Sequence, residues 1–197
     1  MDGFEKRRQN KKIAILNAAL ELFNQYGFDK VTISEIAKKA SVSQVSIYNF
    51  FSSKDNLRKH IIKNALDENL TSVSEIIALD KPVSEKIQPF LDVKTSFINK
   101  ISIKFFHEAL ESDESLKKYY IDFTEKMKLM FLSIIEKGKL EGFFDPGISN
   151  KAILIYINMF ISYFLTNDSL KNELNSNAEL AKELYFLFLD GLTGNRT

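Results

Sequence analysis

Apolar residues recur along this chain at steps of three and four over nearly its whole length, the spacing that buries one face of a helix. Ile13, Leu16, Leu20 and Phe23, with Ala18 and Ala19 between them, predict a first helix over 6–26 that Gly27 ends. Leu57, Ile61, Ile62, Ala65, Leu66 and Leu70 stripe a longer and otherwise polar helix over 54–79. Asp80-Lys81-Pro82 breaks it, and the helix that begins at Ser84-Glu85 has to tolerate Pro89. Further helices are expected over 99–111, 115–140, 150–165 and 178–189, with a breaker-rich turn from Glu141 to Gly147. No segment alternates apolar and polar residues as a half-buried strand would. The expected fold is all α, with about nine helices: a small N-terminal head, residues 1–53, and a larger helical body, residues 54–197.

Between the first helix and the long one, the pattern changes. Thr32 and Glu35 have the S/T-x-x-E spacing of a capping box, flanked by Val31 and Ile36 at the spacing of a hydrophobic staple. The device recurs with Ser43 as cap and Val42 and Ile47 as staple. Two helix starts this close leave room for two turns of helix and the short turn Ser41-Val42-Ser43. Ile36, Ala37, Ala40, Val42, Ile47 and Phe50 are spaced to face inward, which leaves Gln44, Ser46, Tyr48 and Asn49 on the outer face of the second helix. That is the layout of a helix-turn-helix whose second helix reads DNA. An ordinary helical hairpin with a solvated outer face would carry the same caps and periodicity.

The stretch from Ile13 to Ile61 resembles the N-terminal domain of the TetR family of bacterial transcriptional regulators. The likeness runs through ILNAALELFNQYGFDKVTISEIA from Ile15, KKASVSQVSIYNFF, and SSKDNL from Ser52. The resemblance implies that Thr32, Tyr48 and Lys54 contact backbone phosphates. It also implies that the start of the recognition helix, Ser43 with Gln44, Val45 and Ser46, and Asn49 after it, meets the groove. Two positions depart from the family pattern: Ser41 stands where the turn usually has Gly, and Val45 where Gly is common. Ser41 implies a left-handed residue that carries a Cβ, or a different turn. Val45 brings a methyl-bearing side chain that can meet a thymine methyl.

Charge adds an asymmetry that the total hides. The whole chain carries +1, yet residues 1–60 hold 11 Lys and Arg against 6 Asp and Glu, and the other 137 residues hold 16 against 20. A basic head on an acidic body suits a domain that meets phosphates while the rest stays clear of them. The absence of cysteine excludes disulfides and thiolate chemistry, and two histidines, His60 and His107, cannot make a multi-histidine metal site. No cofactor is expected. Neither a glycine-rich phosphate loop nor a G-x-S-x-G or H-E-x-x-H motif occurs, so an enzyme is not expected. The longest apolar run, 152–165, is interrupted by Asn158 and Ser162 and falls short of a membrane span. With no signal-like N-terminus, the chain is expected in the cytoplasm.

The body raises two further expectations. Residues 153–165 are apolar all round, so that helix is either the centre of the body's core or packs against a second copy. With 178–189, it could form a four-helix interface across a twofold axis, as in TetR-like homodimers on palindromic double-stranded operators. Phe97, Phe105, Phe106, Phe123, Phe131, Phe160, Met127, Met130 and Tyr163 stand at helical spacings that suit a core. The resemblance also makes them candidates to line an effector site, which would then take an apolar or aromatic molecule. His107, next to Glu108 and four residues before Glu111, is a polar anchor for such a ligand, a ligand to a metal that the effector carries, or a surface or satisfied histidine. A different reading makes the body a protein-interaction module tethered to DNA, as in a nucleoid-associated or division-linked adaptor, with no small-molecule gating.

Overall fold

The computed structural model describes residues 3–167, 169–170, 173–174 and 177–193, and among them the regular structure is entirely α-helical. The helices are α1 (Gly3–Tyr26), α2 (Ile33–Lys39), α3 (Gln44–Phe51), α4 (Lys54–Ala78), α5 (Val83–Lys100), α6 (Ile103–Ser112), α7 (Glu114–Leu140), α8 (Asn150–Thr166) and α9 (Ala178–Thr193). Pro89 lies inside α5. The helix expected from 99 starts later, at Ile103, because Ser102 caps it by accepting from the Phe105 N–H at 3.4 Å. Ile101, just before that cap, is buried in a core and fixes the break. Asp113 separates α6 from α7 in the same way, its carboxylate accepting from the Leu116 N–H at 2.9 Å.

Packing divides the chain into two compact units: residues 1–71 with 96–124, and residues 72–95 with 125–197. The division does not coincide with the expected boundary at 53/54. α6 and the first part of α7 pack with the N-terminal helices because Phe105 is buried 5.3 Å from Phe23, and Ala109 and Leu116 close the same core.

Side chains reaching across long sequence separations add direction to the first unit. Asn24 donates to the Lys100 carbonyl and accepts from the Ser102 N–H, both at 2.9 Å, so one amide on α1 grips the link between α5 and α6. Lys59 pairs with Asp113 at 3.1 Å, and the Tyr119 hydroxyl donates to Asp67. That bond to a carboxylate pushes the Tyr119 phenol up to about 12.

The second unit is built around Val73, Val83, Ile87, Phe90, Phe131, Ile135, Phe144, Ile153, Ile157 and Phe188. Glycine permits two of its closest approaches. A Cβ at Gly138 would stand 2.4 Å from the Phe144 ring, and one at Gly191 would stand 2.6 Å from the Tyr156 hydroxyl. α8 is not a core helix within one chain: Ile153 and Ile157 are buried, while Ile155, Met159 and Tyr163, at steps of four, are exposed. On α9, Phe188 and Leu192 are buried while Phe186 and Leu187 are exposed.

Candidate nucleic-acid interface

The capping box predicted at Thr32 is complete. The Thr32 hydroxyl accepts from the Glu35 N–H at 3.2 Å, and the Glu35 carboxylate accepts from the Thr32 N–H and hydroxyl at 2.7 Å each. These bonds hold the Glu35 carboxyl below its ordinary value, and the Lys54 ammonium adds a smaller pull in the same direction. Both Thr32 donors therefore point at Glu35, and a phosphate at this cap would compete with that carboxylate for them.

α2 ends in a Schellman motif: the Val42 N–H reaches the Ala37 carbonyl at 3.0 Å, and the Ser41 N–H reaches Lys38 at 3.3 Å. The motif requires a left-handed residue at Ser41, whose φ is 55°. The departure from Gly seen in the sequence is thus a strained turn of the usual shape. Ser43 then caps α3, accepting from the Ser46 N–H at 3.2 Å, and the two hydroxyls lie 2.9 Å apart. Ser46 is consequently half-buried against its own cap, whereas Gln44, Val45, Tyr48 and Asn49 are exposed. Those four, at i, i+1, i+4 and i+5, form one contiguous face. Ile47 and Phe51, on the opposite side, are buried, and they anchor α3 with that face outward.

Lys54 opens α4 three residues after α3 ends. Ser52 takes a left-handed φ of 63°, and Ser53 caps α4 by accepting from the Asn56 N–H at 3.0 Å. The Lys54 ammonium lies over the Phe28 ring at 4.3 Å, and the Arg58 guanidinium over the same ring at 3.9 Å. Lys54 and Arg58 are four residues apart on α4, so a shared direction was legible from sequence. That Phe28, in the turn after α1, would meet them was not.

Comparison with known proteins agrees with this geometry. The profile of the family described as bacterial regulatory proteins, tetR family, matches residues 15–61, which span α2, α3 and the start of α4. The chain is 28% identical over 193 residues to the uncharacterized HTH-type transcriptional regulator YvdT of Bacillus subtilis, covering 93% of this chain and 95% of that one. It is 22% identical to the nucleoid occlusion factor SlmA of Mannheimia succiniciproducens over 79% of this chain and 73% of that one. Among solved structures, the regulator FadR of Bacillus subtilis in complex with stearoyl-CoA superposes with a TM-score of 0.68 at 19% identity, over 91% and 98% of the two chains. Residues 15–61 of this chain are a DNA-binding domain of the TetR type.

With that domain, it is a DNA-binding transcriptional regulator. Among the described residues, no helix is long and apolar enough to cross a membrane. The aromatic residues singled out in the body fall into two clusters, one in each unit. In the first unit, Phe97, Phe106, Tyr120 and Phe123 close a ring of contacts with centroids 5.2–6.4 Å apart. Phe105 lies in the core against Phe23. In the second unit, Phe131 packs on Phe90 at 4.8 Å and Phe160 on Phe188 at 4.4 Å, with Met127 and Met130 partly buried at the same core. Tyr163 is exposed on the α8 stripe, and His107 is exposed on α6. No group of three or more metal-ligating side chains gathers among the described residues.

Proposed function

We propose that this regulator is a homodimeric repressor that binds a palindromic operator and leaves it when an apolar or aromatic small molecule binds the body. In this reading residues 1–53 meet DNA and residues 54–197 sense and dimerise. Thr32, Tyr48 and Lys54 contact phosphates, and Ser43, Gln44, Val45, Ser46 and Asn49 line the groove, with Gln44 and Val45 closest to base edges because both are exposed at the start of α3. Repression and release take place in the cytoplasm, where the operator is.

The observation that carries the dimer is the α8 stripe of Ile155, Met159 and Tyr163 together with Phe186 and Leu187 on α9: five large apolar side chains, each about half exposed or more. A soluble chain gains by covering such a surface with its own twofold copy. Met159→Glu is expected to yield a monomer by light scattering that no longer selects an inverted repeat. The half-buried cluster of Phe97, Phe106, Tyr120 and Phe123, whose neighbouring rings meet edge-to-face at Phe106 and stacked at Phe123, is our candidate for the effector, since an aromatic cluster suits a flat or apolar ligand. The FadR neighbour was crystallised with stearoyl-CoA, a molecule with a long apolar acyl chain.

The deciding experiment recovers fragments of sheared host genomic DNA bound by the purified protein and sequences them. An enriched inverted repeat, lost when the matching small molecule is added, is expected. A second reading, a DNA-tethered adaptor for another protein, is favoured by the SlmA relative and by Leu129 and Leu140, exposed on α7. Enrichment of fragments without an inverted repeat, unchanged by any metabolite, would favour it.

A further inference from the structure

Lys54 is held differently from Lys39 and Lys59. Lys39 is paired with Glu21 at 2.6 Å and Lys59 with Asp113 at 3.1 Å, and in each pair a carboxylate cancels the ammonium charge. Lys54 makes no ion pair among the described residues: the Glu35 carboxylate attracts it only from beyond ion-pair distance, and its ammonium lies 4.3 Å over the Phe28 ring. A ring face attracts a cation through its quadrupole without neutralising it, so the side chain is ordered while its charge remains available. The ring is itself fixed. Gly27, at φ 85°, turns the chain so that Phe28 lies back on α1, where its centroid is 5.2 Å from that of the buried Phe23. Arg58, only 8% exposed and bonded to Asp55 at 2.8 Å, sits over the same ring at 3.9 Å.

We propose that Phe28 is a positioning residue for DNA binding, holding the Lys54 ammonium in place over its ring face, charged and pre-ordered, for a backbone phosphate. The inference rests on the reading of Lys54 as a phosphate contact. A flexible lysine that must be ordered on binding gives up rotamer freedom at that moment, and one already resting on a ring gives up less. Because the contact is with a phosphate, the benefit applies to every DNA sequence and leaves base preference unchanged.

The test measures binding of the full chain to a mixed-sequence duplex across a range of salt. The proteins compared are wild type, Lys54→Met, Phe28→Leu, Phe28→Tyr, the chain with pentafluorophenylalanine at position 28, and the double variant Phe28→Leu/Lys54→Met. Pentafluorophenylalanine keeps the ring's shape and reverses its quadrupole, so it separates attraction for the cation from packing even if Phe28→Leu fails to fold. Lys54→Met is expected to reduce the slope of log affinity against log salt by about 0.9, the loss of one phosphate contact. Phe28→Leu and the fluorinated ring are expected to weaken binding about two- to fivefold, Phe28→Tyr to bind as wild type, and Phe28→Leu to add nothing in the Lys54→Met background. Equal weakening by Phe28→Leu with and without Lys54, or wild-type binding by the fluorinated ring, would overturn the inference while leaving Lys54 as a phosphate contact. An unchanged salt slope for Lys54→Met would overturn both.

Discussion

Both compact units have an apolar core and polar ties across the chain, but their tightest constraints differ in kind. In the first, elements far apart in sequence are tied by directional polar contacts: Asn24 to the α5–α6 link, Lys59 to Asp113, Tyr119 to Asp67, and Lys54 and Arg58 to one aromatic ring. In the second, the Glu141 carboxylate accepts from the Val83 N–H at 2.6 Å and the Asp145 N–H reaches the Leu192 carbonyl at 3.3 Å, but glycine also permits two close approaches, Gly138 to Phe144 and Gly191 to Tyr156, and a broad apolar surface stays open on α8 and α9. Hydrogen bonds and ion pairs fix orientation, which a reader of DNA needs if its side chains are to meet fixed phosphates. Close packing fixes shape, which suits a body whose proposed tasks are to enclose an apolar ligand and to meet its own copy. The contrast predicts that the second unit is sensitive to added volume and the first to lost polar partners.

The largest effect is expected from Gly138→Ala. The new methyl would collide with the buried Phe144 ring, and overpacking of this kind outweighs the better helix propensity of Ala, leaving a net loss of about 2 kcal/mol. Denaturant unfolding measures the loss, and hydrogen exchange is expected to locate it around α7 and residues 143–144. No loss would mean that the second unit is looser than its contacts suggest.

Asn24→Ala tests the opposite side of the comparison. It adds no volume and removes both bonds to the α5–α6 link, leaving the Ser102 N–H without its partner, for a loss of about 1.5 kcal/mol. Asn24→Asp keeps the acceptor for Ser102 and is expected to recover part of it.

Asp113 gives the comparison a pH dependence. Its bonds from Ser115, the Leu116 N–H and Lys59 hold its carboxyl at about 2, below the ordinary 3.8. The ionised form is favoured in the folded state, so its contribution is complete above the ordinary value and disappears as the pH falls through about 2. With the side chain 28% exposed, solvent screens part of that contribution. Asp113→Ala is expected to cost about 1 kcal/mol at neutral pH, like the loss of other helix caps. The gap from wild type should narrow between pH 4 and 2, as followed by thermal melting across that range.

The smallest effect expected is a gain. Ser41→Gly removes the Cβ from a left-handed position at φ 55° and should raise stability by about 0.5–1 kcal/mol, with DNA binding unchanged. A change in base preference would indicate that the strained turn sets the angle of α3.

The sequence alone determined the features whose partners lie within a few residues. The Thr32–Glu35 box, the Ser43 cap with its staple, the turn at 41–43 and the inward faces of α2 and α3 all follow from spacing, because helix caps and i, i+4 contacts are closed over short stretches of chain. The outer face of α3 was legible for the same reason, except that Ser46 is drawn back to its cap. Only the tertiary structure decided which apolar faces stay open and which polar groups meet across the fold. Apolar spacing marks α8 as hydrophobic all round, yet whether Met159 is buried depends on where the other helices pack. Nothing near Asn24 announces a partner 76 residues away, and nothing near Phe28 announces the ammonium of Lys54. Such contacts depend on how separate helices come together, and local spacing carries no record of that.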